Sequence, residues 1–170
     1  QRSAPTSIQG IEDIKNGIIG DVYFGKAWYA NTRGTIGAGN KVMVPKWLDW
    51  EMWQGPSPRT NYKDNIVHYN WHWFWHWGTA EVSNNGAHEL DIARWAMHVD
   101  YAHKVSTSAS RRFYSDDDWQ MYDTMQARFE FAGGKEITWE GHSCNRALKY
   151  GRGRGTLLYG TKGTVIADRS

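Results

Sequence analysis

YNWHWFWHWGTAEVSNNGAHELD, residues Tyr69–Asp91, gathers four tryptophans and two histidines into one alternating run, then a polar turn, then a helix start that carries His88 and Asp91. Trp71, Trp73, Trp75 and Trp77 alternate with His72, Phe74 and His76. A period of two throws the indoles to one face of a strand and the imidazoles to the other. The stretch predicts a strand feeding a helix with polar side chains collected at the junction, a common place for a ligand or a proton carrier.

Outward from this run, Gly86 to His98 continues as a helix with Leu90, Ala93, Trp95 and Met97 as its apolar positions. Three strand-like segments follow at Lys104–Tyr114, Thr124–Phe131 and Lys135–Glu140, the last two joined by the compact turn Ala132-Gly133-Gly134. Thr156–Tyr159 and Thr164–Ala167 flank Gly160-Thr161-Lys162-Gly163 as a second hairpin. Upstream, Ile8, Ile11 and Ile14 recur at helical spacing within Ser7–Asn16, and Gly17 stops the helix. Asp21–Thr32 is rich in aromatic and β-branched residues and reads as a strand. Lys46–Pro58 reads as a short helical turn whose Trp47, Trp50 and Trp53 form one stripe, an aromatic lid for the sheet. Strands outnumber helices and are mostly linked by turns, which predicts an α+β fold with a largely antiparallel sheet.

A chain of 170 residues fits one domain, spanning 1–170. Lys and Arg total 20 against 18 for Asp and Glu, a formal charge of +2 that argues against a phosphate-backbone partner such as nucleic acid. The lone Cys144 excludes an internal disulfide. No run of about 18 apolar residues is present to span a membrane, so a soluble protein, cytoplasmic or periplasmic, is expected. The chain opens on Gln1 without a methionine, which reads as a processed chain or an excised piece and leaves its compartment open.

His68, His72 and His76 would share one face of a helix, but on a strand His72 and His76 lie about 13 Å apart, too far for one zinc whose ligands sit about 2 Å away. No metal site is expected. Two readings of these histidines remain: hydrogen-bonding groups for a polar substrate, or satisfied structural imidazoles. Around the helix start, His88 lies in the first turn and Asp91 is placed to orient its imidazole, an arrangement suited to general acid–base chemistry. Asn84 or Asn85 capping the helix, with Asp91 complementing its N-terminus, accounts for the same residues equally well. Lys26 sits mid-strand in an apolar run, either facing a site or lying on a solvated sheet face. Gly34–Gly39 has the wrong spacing for a dinucleotide fingerprint and is followed by Pro45 where a helix should begin. Asp116-Asp117-Asp118 reads as a solvated turn, and Gly151–Gly155 as a flexible basic loop.

In order along the chain, GIIGDVYFGKAW (Gly17–Trp28), LDWEMWQGPSP (Leu48–Pro58), YNWHWFWHWGT (Tyr69–Thr79), NNGAHELDIARW (Asn84–Trp95) and GTLLYGTKGTV (Gly155–Val165) resemble the C-terminal half of a Gfo/Idh/MocA oxidoreductase, the glucose-fructose oxidoreductase and inositol dehydrogenase family. The resemblance implies a large, mostly antiparallel open sheet with helices packed on one face. It also implies a two-domain enzyme that uses NAD or NADP on a sugar or cyclic polyol. In that family an N-terminal Rossmann domain holds the nucleotide; this chain resembles only the second part, so no cofactor and no turnover are expected of it alone.

Members carry Asp-x-x-x-His, whose histidine exchanges a proton with the substrate hydroxyl. His88 matches the histidine, and Asn84 stands at the aspartate position. An amide can hydrogen-bond a hydroxyl but cannot take up a proton. The reading is therefore His88 as proton carrier, Asn84 beside it, and Lys26, His72, His76 and Asp91 as substrate-side groups. A homo-oligomer assembled through the sheet is also expected. The alternatives are an NAD-dependent glycosidase of the same fold and, from another class, a non-catalytic carbohydrate-binding module that stacks sugars on tryptophan.

Overall fold

Helix α4 (Gly86–Met97) alternates buried and exposed residues at helical period, and its buried Ile92, Ala93, Ala96 and Met97 set where the core lies. Ala93, Ala96 and Met97 press on the centre of a six-stranded sheet in a computed structural model that describes residues 1–167; the last three residues of the expected domain lie outside the described residues.

The strands are β1 (Val22–Ala30), β2 (Lys104–Ser110), β3 (Thr124–Glu130), β4 (Glu136–His142), β5 (Arg154–Gly160) and β6 (Thr164–Ala167), in the order β2-β3-β4-β1-β5-β6. Only β1 and β4 run parallel; every other pair is antiparallel. The α+β class and the mostly antiparallel open sheet are as the sequence predicts.

Helix α1 (Pro5–Lys15) starts two residues before the predicted Ser7, since Pro5 fixes φ for the first turn. It buries Ile11 and Ile14 against α4, Ile137 and Leu158. Ala27 lies beside Trp139 in register, and both face the helices with Ala127 and Tyr29. Gly25 lets α4 approach closely: a Cβ there would stand 3.1 Å from the Met97 sulfur. The alternate residues, Lys26, Gln126, Arg128, Thr138, Glu140 and their neighbours, line a shallow trough of about 610 Å³ on the helix-free face. Helices therefore pack on one face of the sheet.

The run Tyr69–Trp77 is not a strand. Asn70–Trp73 forms a 3-10 turn and further turns follow. His72, Trp73 and Phe74 are buried in succession while Trp71 and Trp75 are exposed. The alternation in the sequence comes from tryptophan abundance; among the described residues the run has no ladder partner, and a tight turn spreads successive side chains around its axis. Trp73 stacks on Trp119 at 3.8 Å, and Phe74 joins Trp50, Tyr62 and Ile66. Gly78 makes the reversal possible, because a Cβ there would lie 2.1 Å from the His72 carbonyl oxygen.

The expected lid is corrected too. Helix α2 (Trp50–Trp53), capped by the Asp49 carboxylate accepting from the Met52 N–H at 3.0 Å, packs Trp50 and Trp53 on Tyr62, Phe74 and Trp77 rather than on the sheet. Trp47 is exposed and stacks on His68 at 5.0 Å. These loops thus carry their own aromatic core beside the sheet.

Candidate functional site

Where β1 ends, the chain leaves the sheet through Asn31 and Arg33 and meets helix α3 (Ala80–Asn84) and the start of α4. Asn85 alone separates the two helices, so Asn84 and His88 stand one turn apart, both exposed. Beneath them lies a buried carboxylate: Glu81 is 3% exposed.

The Arg33 Nε donates to Glu81 Oε1 at 2.5 Å, and the amide nitrogens of Asn84 (3.3 Å) and Asn85 donate to Glu81 Oε2. Arg33 also donates to the Tyr69 hydroxyl at 2.6 Å and to the Tyr29 hydroxyl at 3.2 Å, and lies 5.0 Å over the Trp73 ring. Burial works against the Arg33 cation, but Glu81 and Tyr69 overcome it, so the guanidinium is held above its ordinary value. Removing one member of such a buried pair leaves the other charge uncompensated, at a cost of about 3–5 kcal/mol. A second buried acid, Glu89, accepts from Arg154 at 2.8 Å, and Arg154 lies 5.4 Å over the Tyr29 ring.

The side chains singled out in the sequence do not all converge. Asn84 and His88 share this junction. Asp91 is clasped by Arg2, Nη2 to Oδ1 at 2.7 Å, which holds its carboxyl below the usual range. His72 packs under the cluster, its ring edge-on to Tyr69 at 4.7 Å. His76 belongs elsewhere: its Nε2 donates to the Pro58 carbonyl at 2.6 Å, and it lines a separate pocket of about 240 Å³ with Lys63, Asp118 and Trp77. Lys26 lies on the far face of the sheet, 3.7 Å from Glu140. The structure does not bring Lys26 or His76 to His88: strand alternation sends Lys26 away from the helices, and the 3-10 turn swings His76 into the loops.

Tyr69, Arg33, Glu81 and Arg154 complete the site and were not singled out beforehand. Glu81 had one signal, its place three and four residues before two asparagines. The basic segment Gly151–Gly155, expected to be a loop, instead delivers Arg154 as the first residue of β5. Burial, with Asp123 adding to it, pushes the Cys144 thiol up to about 12, which removes it as a nucleophile. Among the described residues no group of three or more His, Cys, Asp or Glu side chains is placed to hold a metal ion.

A mixed sheet with its helices on one face, carrying an exposed amide–imidazole pair over buried ion pairs, defines an α+β domain. The chain belongs to the Gfo/Idh/MocA oxidoreductase family: the family's C-terminal alpha/beta domain matches residues 19–168. No curated protein matches the sequence. Among solved structures it is similar to the WlbA dehydrogenase from Bordetella pertussis in complex with NADH and UDP-GlcNAcA (17% identity, TM-score 0.60, 98% of this chain and 40% of that one). It is also similar to an aldose-aldose oxidoreductase from Caulobacter crescentus complexed with glycerol (11%, 0.59, 98% and 45%). A third is an oxidoreductase from Agrobacterium radiobacter in complex with NAD+, L-tartaric acid and magnesium (13%, 0.59, 96% and 38%). At these identities the likeness is one of fold, and the chain spans less than half of each relative.

Proposed function

We propose that this chain is the substrate-binding half of an NAD(P)-dependent oxidoreductase acting on a sugar or cyclic polyol, with His88 as its proton carrier. The observation that carries the reading is the exposed pair Asn84 and His88, one turn apart, with Asn84 tied to the buried Glu81. Family membership and relatives crystallised with nicotinamide nucleotides and hydroxylated ligands support it.

Gly34–Gly39 does not fit a nucleotide: it runs without regular structure and no helix follows until Trp50, so this glycine segment offers no helix N-terminus to a pyrophosphate. The nucleotide belongs to a Rossmann-type domain outside this chain, and the chain alone is inactive. Its own residues bind and orient a polyol, and His88 takes the proton from the hydroxyl being oxidised or returns it in the reverse direction. Residues 1–170 act as one domain that binds substrate on the α3–α4 side and a second copy through the open sheet face.

In the full-length protein, His88→Ala is expected to lower nicotinamide-coupled oxidation of polyols by about 100- to 10,000-fold, with little change in melting temperature because the side chain is exposed. Undiminished turnover overturns the assignment. The carbohydrate-module reading draws on exposed Trp75 and Tyr122, whose rings lie 5.7 Å apart. Sugar binding by residues 1–170 alone, lost in Trp75→Ala and kept in His88→Ala, would favour it.

A further inference from the structure

The buried Arg33–Glu81 pair dictates the hydrogen-bond polarity of the two groups it holds at the surface. A guanidinium only donates, so the Tyr69 oxygen, 2.6 Å from Arg33 Nη1, must accept there. Its own O–H is then turned elsewhere, and Tyr69 is 59% exposed. A carboxylate only accepts, so the Asn84 amide must direct its nitrogen at Glu81 Oε2, 3.3 Å away. The Asn84 carbonyl oxygen is left facing outward on an exposed side chain. One buried ion pair therefore presents a fixed donor at Tyr69 and a fixed acceptor at Asn84 on the same wall, linked through three side-chain hydrogen bonds.

We infer that Tyr69 and Asn84 are a polarity-matched pair that orients a polyol substrate, one hydroxyl accepting from the Tyr69 phenol and another donating to the Asn84 carbonyl, with Arg33 and Glu81 as the positioning residues. This rests on the α3–α4 junction being the substrate site, and it goes further by assigning which hydroxyl role each group reads. It also gives the amide at position 84 a purpose. Asn84 keeps the acceptor that the family's aspartate offers, while the negative charge sits one turn earlier on Glu81, already matched by Arg33.

Fluorine in place of a hydroxyl accepts a hydrogen bond weakly and never donates, so deoxyfluoro analogues separate the two roles. Binding of myo-inositol, glucose and their monodeoxy and monodeoxyfluoro derivatives is measured by calorimetry on the full-length protein. One ring position is expected to tolerate fluorine better than hydrogen, and Tyr69→Phe removes that preference and weakens the parent polyol about three- to tenfold, the size of one neutral hydrogen bond. At another position fluorine is as poor as hydrogen, and Asn84→Ala makes hydroxyl no better than either.

Glu81→Gln, which lets the amide turn over, relaxes the second preference; where that variant does not fold, the two surface variants decide. Binding ratios unchanged by Tyr69→Phe and Asn84→Ala overturn the proposal, as does a wild-type protein that binds none of these polyols. Running His88→Gln through the same titrations keeps the questions apart. Retained turnover in that variant with the ratios intact would sink the proton-carrier reading and leave this one standing.

Discussion

Burying an imidazole penalises its charged form, and His72 is 6% exposed with an Nε2 that has no partner in the interior. Burial, aided by the Arg33 cation, holds it below the ordinary value of 6.5, against the upward pulls of the Tyr69 backbone and, more weakly, Glu81. The folded chain thus binds this proton less readily than the unfolded one, so stability on this account is whole above about pH 6.5 and declines as the pH falls from there to the folded value. Asp118, Asp91 and Glu140 are each held below their ordinary 3.8 or 4.5, so their contributions are present above that range and disappear only beneath it. A fall in melting temperature between pH 7 and about pH 5 is therefore expected to trace to His72, and His72→Phe should flatten it. An equal slope in the variant would assign the effect to another group. A residue read as ligand-facing from alternation is in this structure a buried support for the wall that holds Tyr69.

Helix α4 shows how an element can be legible while its last residue resists the reading. Its apolar positions repeat at helical spacing, and the β3–β4 and β5–β6 turns are written in glycine, so those elements follow directly from the sequence. His98, expected inside the helix, instead closes it in the left-handed region at φ 51, with the Val99 N–H returning to the Arg94 carbonyl. Glycine adopts that conformation without a Cβ penalty, and exposed His98 buries nothing. His98→Gly is expected to stabilise the protein by about 0.5–1 kcal/mol, raising the melting temperature by about 1–4 °C; calorimetry showing no gain would mean that the imidazole makes a compensating contact.

The Tyr69–Trp77 run defeats the same logic, since alternating tryptophans imitate a strand wherever they occur, and only the burial of three successive residues betrays the turn. The site divides along similar lines. Asn84 and His88 are readable because they are neighbours on one helical face. Arg33 reaches Glu81 across 48 residues and Tyr69 across 36, contacts no local spacing encodes.

At the scale of the whole molecule, the two faces of the sheet differ in character. Among the described residues, the helices that pack on it lie on the side of Asn84 and His88, while the opposite face carries the half-buried Phe24 and Tyr159 rings, 5.5 Å apart, among polar and charged side chains. The charges there are paired within the face: Arg128 with Glu136 at 2.6 Å, Lys149 with Glu140 at 2.7 Å, and Lys26 with Glu140 at 3.7 Å. Although burial alone would raise it, the Glu140 carboxyl is held low by Lys149 and His142. A shallow face of locally neutralised charge and aromatic area would suit a two-fold partner, because each patch would meet its own copy without net repulsion.

Lys26 lies on this face, away from Asn84 and His88. Thr138 sits between Lys26 on β1 and Arg128 on β3 in the strand register. In the full-length protein, sedimentation is expected to show an oligomer, and Thr138→Arg, which adds a third cation to that row at the centre of each copy, should lower the assembly by one step. The site on the other face should keep its polyol binding. A wild-type monomer at micromolar concentration, or a variant that assembles unchanged, would place the interface elsewhere and return Lys26 to the role of a solvated lysine on an open sheet.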